Sequence, residues 1–205
     1  AAFAMPIDDR SAWGISLIRF GVDDILDTTQ LIDSEGNIDY SRINLFSTAD
    51  YAATFSYARS LQVPGWQYGV NAKVIYRKAG DFATAWGFGL DLGAQYDIKK
   101  LKLGFMARDV TSTFNAWSFN FTDEEKDVLV ATGNTLPSSS LEITVPKFIF
   151  GAAYDISIKD KFHILPELNF EMTTDGKRNV PIRTNSVSID PRFGLEMNYV
   201  NIIYV

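Results

Sequence analysis

The chain has 205 residues, a net charge of -6 and a sequence pI near 4.8, which argues against a nucleic-acid partner. Hydrophobic residues make up 46% of it and aromatic residues 14%, yet no apolar run approaches the ~20 residues of a membrane helix. That leaves crossing by strands open, and the absence of cysteine fits an envelope compartment in which disulfides are not used.

Ala1 to Met5 reads as the tail of a strand and Pro6 to Arg10 as a short turn. Trp13 to Val22 is the next strand, but its alternation slips. Trp13, Ile15 and Leu17 share one parity, while Ile18, Phe20 and Val22 share the other, so a β-bulge near Leu17 is expected. Asp23 to Ala49 reads as a long polar loop. Within it, Asp33 to Asp39 places oxygen side chains at alternate positions, as calcium loops do. Its glycine falls fourth rather than sixth, so an Asp/Gly/Asn turn is the simpler reading. Asp50 to Arg59 is a strand with Tyr51, Ala53, Phe55 and Tyr57 on one face and Thr54 and Ser56 on the other.

The clearest signal is the hairpin from Trp66 to Tyr96. Trp66, Tyr68, Val70, Ala72, Val74 and Tyr76 alternate with Gln67, Gly69, Asn71, Lys73, Ile75 and Arg77. Trp86, Phe88, Leu90, Leu92, Ala94 and Tyr96 alternate with Gly87, Gly89, Asp91, Gly93 and Gln95. Each apolar series has a Trp at one end and a Tyr ten residues away at the other. Ten residues at ~3.4 Å, tilted by ~40°, rise ~26 Å, the height of an outer-membrane apolar band with an aromatic girdle at each edge.

Leu101 to Ala107 alternates in the same way. Thr111 to Pro146 is the longest loop and holds a capping box, Thr122 to Glu125, opening a helix that Gly133 stops. Phe148 to Tyr154, Phe162 to Met172 and Pro191 to Tyr199 are further alternating strands. Connections alternate between short and longer, the rhythm of periplasmic turns and extracellular loops. The fold class is therefore all-β: a transmembrane antiparallel barrel of the outer membrane. It is read as one domain, 1–205, with about ten strands visible and both ends cut from a longer, even-stranded barrel.

No catalytic constellation, cofactor motif or metal motif appears. His163 shares a face with Glu167 and Glu171, which makes a metal conceivable, but polar lining is the simpler role. Lys73, Arg77, Asp91, Lys102, Arg108, Glu167, Glu171, Arg192 and Glu196 all fall on the expected lumenal face. With both signs present they suit a salt-bridged filling that keeps the barrel shut better than an open conduit. Gly87, Gly89 and Gly93 share that face and leave room for an internal plug. Pro166, mid-strand, is expected to force a bulge or a local opening, which in a channel would serve as a lateral exit. If the strand runs straight on past Val110, Trp117, Phe119 and Phe121 stand on the outer wall and Phe114 on the other face. These four aromatics are the expected partner-contact residues, with a lid over the barrel mouth as the alternative.

Several stretches together resemble one family. They are Gly21 to Ile25, Asp39 to Ile43, KVIYRKAGDFATAWGFGLDLGAQY from Lys73 to Tyr96, GFMARDVTSTFNAWSF from Gly104 to Phe119, Asp175 to Asn179, and VSIDPRFGLE from Val187 to Glu196. The chain resembles the PorV/PorQ family of outer-membrane proteins of the type IX secretion system. The family is similar in fold to FadL-type channels, with about fourteen strands in an even-numbered barrel. The resemblance implies a Gram-negative outer-membrane location and a role in export without enzymatic activity. Implied partners are the translocon, secreted cargo recognised by its C-terminal domain, and membrane lipid. A FadL-like channel for hydrophobic small molecules is the second implied role.

Overall fold

The computed structural model describes residues 1–31, 37–133, 135–138, 140–159, 161–200 and 202–204. The first five strands are β1 (Ala2–Asp8), β2 (Ser11–Asp27), β3 (Asn44–Ser60), β4 (Trp66–Ala79) and β5 (Ala83–Ile98). Next come β6 (Leu101–Arg108), β7 (Thr113–Phe119), the helix α1 (Asp123–Ala131), β8 (Ser140–Thr144), β9 (Lys147–Tyr154) and β10 (Ile156–Ile158). The chain ends with β11 (Phe162–Thr173), β12 (Ile182–Arg183), β13 (Ser188–Tyr199) and β14 (Ile203–Tyr204). All pair antiparallel in one sheet whose main path runs β1-β2-β3-β4-β5-β6-β9-β11-β13-β12, and its two ends do not pair with each other. The architecture is thus an open, all-β, up-and-down sheet.

Neighbouring turns lock to each other at the short-turn end. Ser60 N–H donates to Arg10 O, Asp97 N–H to Gly65 O and Asp155 N–H to Lys100 O, at 2.8, 2.9 and 2.8 Å. Gly65 has φ +84, and a Cβ there would overlap Asp97 O, so this turn requires glycine.

Register fixes the faces. Trp66, Val70, Val74 and Tyr76 stand opposite Tyr96, Leu92, Phe88 and Trp86. The same face continues through Tyr51, Ala53, Phe55 and Tyr57 on β3, and through Leu103 and Phe105 on β6. It reaches Phe150 on β9, Leu168 and Phe170 on β11, and Phe193 and Leu195 on β13. This outer face keeps its large side chains uncovered: Trp86 is 62% exposed and Phe193 72%. Among the described residues the buried apolar side chains are all alanines: Ala49, Ala83, Ala85 and Ala107. The chain exposes 14022 Å², against about 9,600 Å² for a compact water-soluble monomer of this mass. The sheet has no second layer to bury its apolar face.

Four expectations are changed or, at Pro166, narrowed to one of the two outcomes named. The bulge on β2 is not at Leu17. β2 pairs regularly with β3 from Ser11 to Val22, and the shift comes between Val22 and Ile25, where Asp24 is left-handed at φ 59. Ile18, Phe20 and Val22 therefore stay on the inner face. Beyond the shift the ladder resumes to Asp27 opposite Asn44, so the loop is shorter than the polar sequence implies.

The strand does not run straight on past Val110. Asp109 and Ser112 adopt left-handed φ values of 53 and 57, and a corner separates β6 from β7. β5 pairs with both segments. Between Phe88 and Leu92 it advances four residues, while the facing chain advances seven from Ala107 to Phe114. The odd excess of three reverses parity: Phe114 joins the outer face, and Trp117 and Phe119 turn inward.

Pro166 causes an opening rather than a bulge. β11 stays in continuous register with β13, but its pairing on the other side skips from Glu167–Ala153 to Ile164–Ile156, dividing β9 from β10. A proline has no N–H to give to that gap. The fourth change concerns Gly87 and Gly89. They house the side chains of Asn115 and Thr113, which a Cβ at either glycine would overlap, and so leave no room for a plug.

Labels at Val70 and Leu90 are expected to be accessible to an apolar relaxant such as oxygen in a reconstituted bilayer, and labels at Asn71 and Asp91 are not. Spin-label relaxation measures this, and the reverse pattern rejects the facing.

Candidate functional site

The inner face is built from the other parity. Lys73, Arg77, Asp91, Lys102, Arg108, Glu167, Glu171, Arg192 and Glu196 all share it by register, as expected. The structure divides them into clusters.

The first cluster is the most buried. Lys73 Nζ lies 2.7 Å from Asp91 Oδ1 and 2.5 Å from Asp109 Oδ1. The three side chains are 14%, 7% and 16% exposed. Asp109 N–H donates to Asp91 Oδ1 at 2.9 Å, and Thr113 Oγ1 donates to Asp109. One cation thus bridges a carboxylate on β5 and one in the β6–β7 corner, and it ties that corner to β4 and β5.

The second cluster lies toward the loops. Arg77 Nε donates to Asp50 Oδ1 at 3.0 Å and Arg77 Nη1 to Glu142 Oε2 at 3.1 Å. The guanidinium sits 5.1 Å from the ring centroid of Trp117, whose Nε1–H donates to the same Glu142 oxygen at 2.9 Å. From Trp117 a ladder of rings continues through Phe119, Phe121 and Phe82 to Phe46, with centroid spacings of 6.3, 6.1, 6.1 and 5.2 Å. Trp117, Phe119 and Phe121 thus stack in one row on the inner rim, not on the outer wall expected of a partner patch, and packing on one another is what the lid alternative describes. Phe114 stands apart on the outer face opposite Phe88.

The third cluster joins Lys147 to Glu171, with Arg192 Nη2 3.2 Å from Glu171 and Arg192 Nε 3.1 Å from Asp190. Lys102 is 4.0 Å from Asp97, and Glu167 accepts from Asn169. Arg108 and Glu196 enter no ion pair among the described residues. His163 Nδ1 lies 3.2 Å from Ser157 Oγ and 3.5 Å from Asp155 Oδ1, at the gap beside Pro166. No group of three or more His, Asp or Glu is placed to hold a metal ion among the described residues. The acidic loop falls largely outside them; Asp39 accepts from Ser41 N–H at 3.0 Å and caps the 3-10 turn Tyr40–Arg42. α1 carries the expected capping box and ends at Gly133, φ 78.

Below these clusters the inner face lines an open hollow of about 690 Å³, which touches strands from β1 to β11, so the sheet curves around it. Gly69, Gly93, Gly104 and Gly151 lie in its wall. At Gly104 an added Cβ would meet nothing within 4 Å. Arginine and lysine pairs thus staple β4 to β3, β5, β8 and the β6–β7 corner, and β11 to β9 and β13, while the hollow below them is walled in part by glycine.

Sequence reading found Lys73, Arg77, Asp91, Glu171 and Arg192 but missed their partners Asp50, Asp109, Glu142 and Lys147. Asp50 and Lys147 had a usable signal, since each has the inner parity of its own strand. Asp109 and Glu142 lie at or past the corner, where parity cannot be carried over.

In the 174–187 loop, Arg178 hydrogen-bonds Asp175 and holds its carboxyl below the ordinary value of 3.8. Arg178 N–H donates to Ser188 Oγ at 2.9 Å, anchoring the loop to β13. A depressed carboxylate stabilises the fold above its unfolded pKa and loses that contribution as pH falls through the folded pKa.

The chain matches no protein-family model and no curated protein sequence.

Lys73→Ala leaves Asp91 and Asp109 facing each other without a cation. The expected loss is ~3–5 kcal/mol, the usual cost of breaking a buried pair, read by denaturant titration of the folded, gel-shifted form. Asp175 should titrate below pH 3.8 in a carboxyl carbon NMR titration, and Arg178→Ala should raise that midpoint.

Proposed function

We propose that this chain forms the wall of an outer-membrane β-barrel that serves type IX protein export by binding the translocon or secreted cargo. The observation that carries the barrel reading is the two-sided sheet. Its outer face exposes aliphatic and aromatic side chains edged by Trp and Tyr, and its inner face carries the charges. In water such a surface aggregates, whereas in lipid it is satisfied. The free edge of β1, and the stretch of β13 between its two short partners β12 and β14, call for further strand pairing to close the barrel.

The export role rests on the sequence resemblance to the PorV/PorQ family. The stapled inner face supports it, because ion pairs across strands stiffen a scaffold for a partner and obstruct passage of a solute. A specific observation favours the second reading, a FadL-like channel. Ile18, Phe20 and Val22 stand exposed on the inner face, where an apolar ligand would find them.

Affinity purification of the full-length protein from native membranes tests both levels. The expected result is recovery from the outer-membrane fraction together with a large translocon subunit or secreted proteins. Recovery there with neither rejects the export role, and recovery from the soluble fraction rejects the barrel. Trp117→Ala combined with Phe119→Ala is expected to reduce partner recovery severalfold at unchanged membrane level, measured by quantitative mass spectrometry of the purified complexes.

A further inference from the structure

On the outer face, register places Arg19, Tyr51, Tyr76 and Trp86 side by side on β2 to β5. Tyr76 packs on Trp86 at 4.8 Å and near Tyr51 at 6.2 Å, forming the aromatic row at the loop end of the apolar face. Arg19 Nε donates to Tyr51 Oη at 3.4 Å, and its guanidinium carbon is 5.9 Å from that ring. The side chain bends toward the loops. A Cβ on Gly21 would lie 3.1 Å from Arg19 Nη2, so the missing side chain at Gly21 opens the path the guanidinium takes. Gly21 stands opposite Ala49, and Ala49 opposite Lys78. The guanidinium thus lies over Gly21, and two cations stand on either side of the small Ala49, their strands ~10 Å apart.

Beneath the row lies a recess of about 300 Å³, lined by Leu17, Ala53, Val74, Tyr76 and Trp86, with Arg19 at its edge. Ala53 makes it, as the small member of the register line Leu17–Ala53–Val74. A cationic gap directly above an apolar slot has the chemistry of one amphipathic ligand. We propose that this is a seat for an anionic lipid, with a headgroup phosphate between Arg19 and Lys78 and an acyl chain in the recess.

Two carboxylates compete: Asp23 is 3.8 Å from Arg19, and Asp81 is 3.1 Å from Lys78. Both are exposed, and Asp81 is 99% so. Exposed pairs of this kind are weak. A guanidinium fork binds phosphate through two parallel hydrogen bonds, which a carboxylate at 3.8 Å does not receive.

The inference rests on the membrane-wall reading, so its test separates the two. The full-length protein is reconstituted in zwitterionic bilayers containing a minor fraction of brominated lipid. The Trp86 emission is isolated as the component absent from Trp86→Phe. Brominated phosphatidylglycerol is expected to quench it severalfold more than the same fraction of brominated phosphatidylcholine. Arg19→Gln with Lys78→Gln is expected to equalise the two while quenching by phosphatidylcholine persists, which also shows that the variant remains inserted. Equal quenching in the unaltered protein overturns the lipid seat and leaves the wall intact, as does a preference that survives the double substitution. Absence of quenching by either lipid overturns the seat and the membrane wall together.

Discussion

Lys73 holds two carboxylates that would otherwise repel, and much of the inner face follows from that contact. Asp91 belongs to the regular part of β5, while Asp109 begins a corner that no ladder stabilises on its own. Left-handed backbone at Asp109 and Ser112 is unfavourable for residues with a Cβ. It persists here because Asp109 is held at both ends, by its N–H to Asp91 and by its carboxylate to Lys73 and Thr113. The corner sets the parity of β7, and that parity turns Trp117 inward beneath Arg77. Glu142, on the strand paired with β7, then comes within reach of both Arg77 and Trp117. The ion pair therefore shapes a rim at some distance from itself.

Alternation was legible wherever the ladder is unbroken. Trp66 to Tyr96 faces as the residues say, because period-two side-chain placement follows directly from strand geometry. The nine inner-face charges were legible for the same reason. Reading stopped where the backbone departs from the ladder. Ile18, Phe20 and Val22 looked as though they belonged outside, and a bulge was inferred to put them there. The residues that permit the real irregularity, Asp23 and Asp24, lie further on. Aspartate tolerates left-handed φ better than the β-branched and aromatic residues before it, and that was a usable signal. At the second corner, counting parity through Asp109 to Ser112 assumed an extended chain that two left-handed residues deny. The glycines misled in another way. An absent side chain on a sheet face records a need for space without naming the occupant, and at Gly87 and Gly89 that occupant is the next strand.

A single-layer sheet changes which forces carry stability. The usual apolar core is missing, since the buried apolar side chains among the described residues are alanines. In water the backbone ladder would have to hold the sheet almost unaided, and hydrogen bonds contribute little net free energy when both states are solvated. In a low-dielectric surrounding the same ladder becomes obligatory, because an unpaired N–H or C=O there has no water to turn to. The interior break beside Pro166 falls where the missing donor is proline's own. The polar side chains His163, Ser157 and Asp155 gather at that gap on the inner face.

Charge placement then divides the inner face into two regimes. Cations tie β4 to β3, β5 and β8, and separately tie β11 to β9 and β13. Cross-strand pairs of opposite sign add to the ladder, and removing one partner of a buried pair is expensive. The upper part of β2 has no such staple facing inward; Ile18, Phe20 and Val22 take those positions and remain half to largely exposed. A stapled sector beside an apolar, unstapled one makes the inner face asymmetric, with an aromatic and guanidinium rim on the β7 side and an exposed apolar surface on the β2 side.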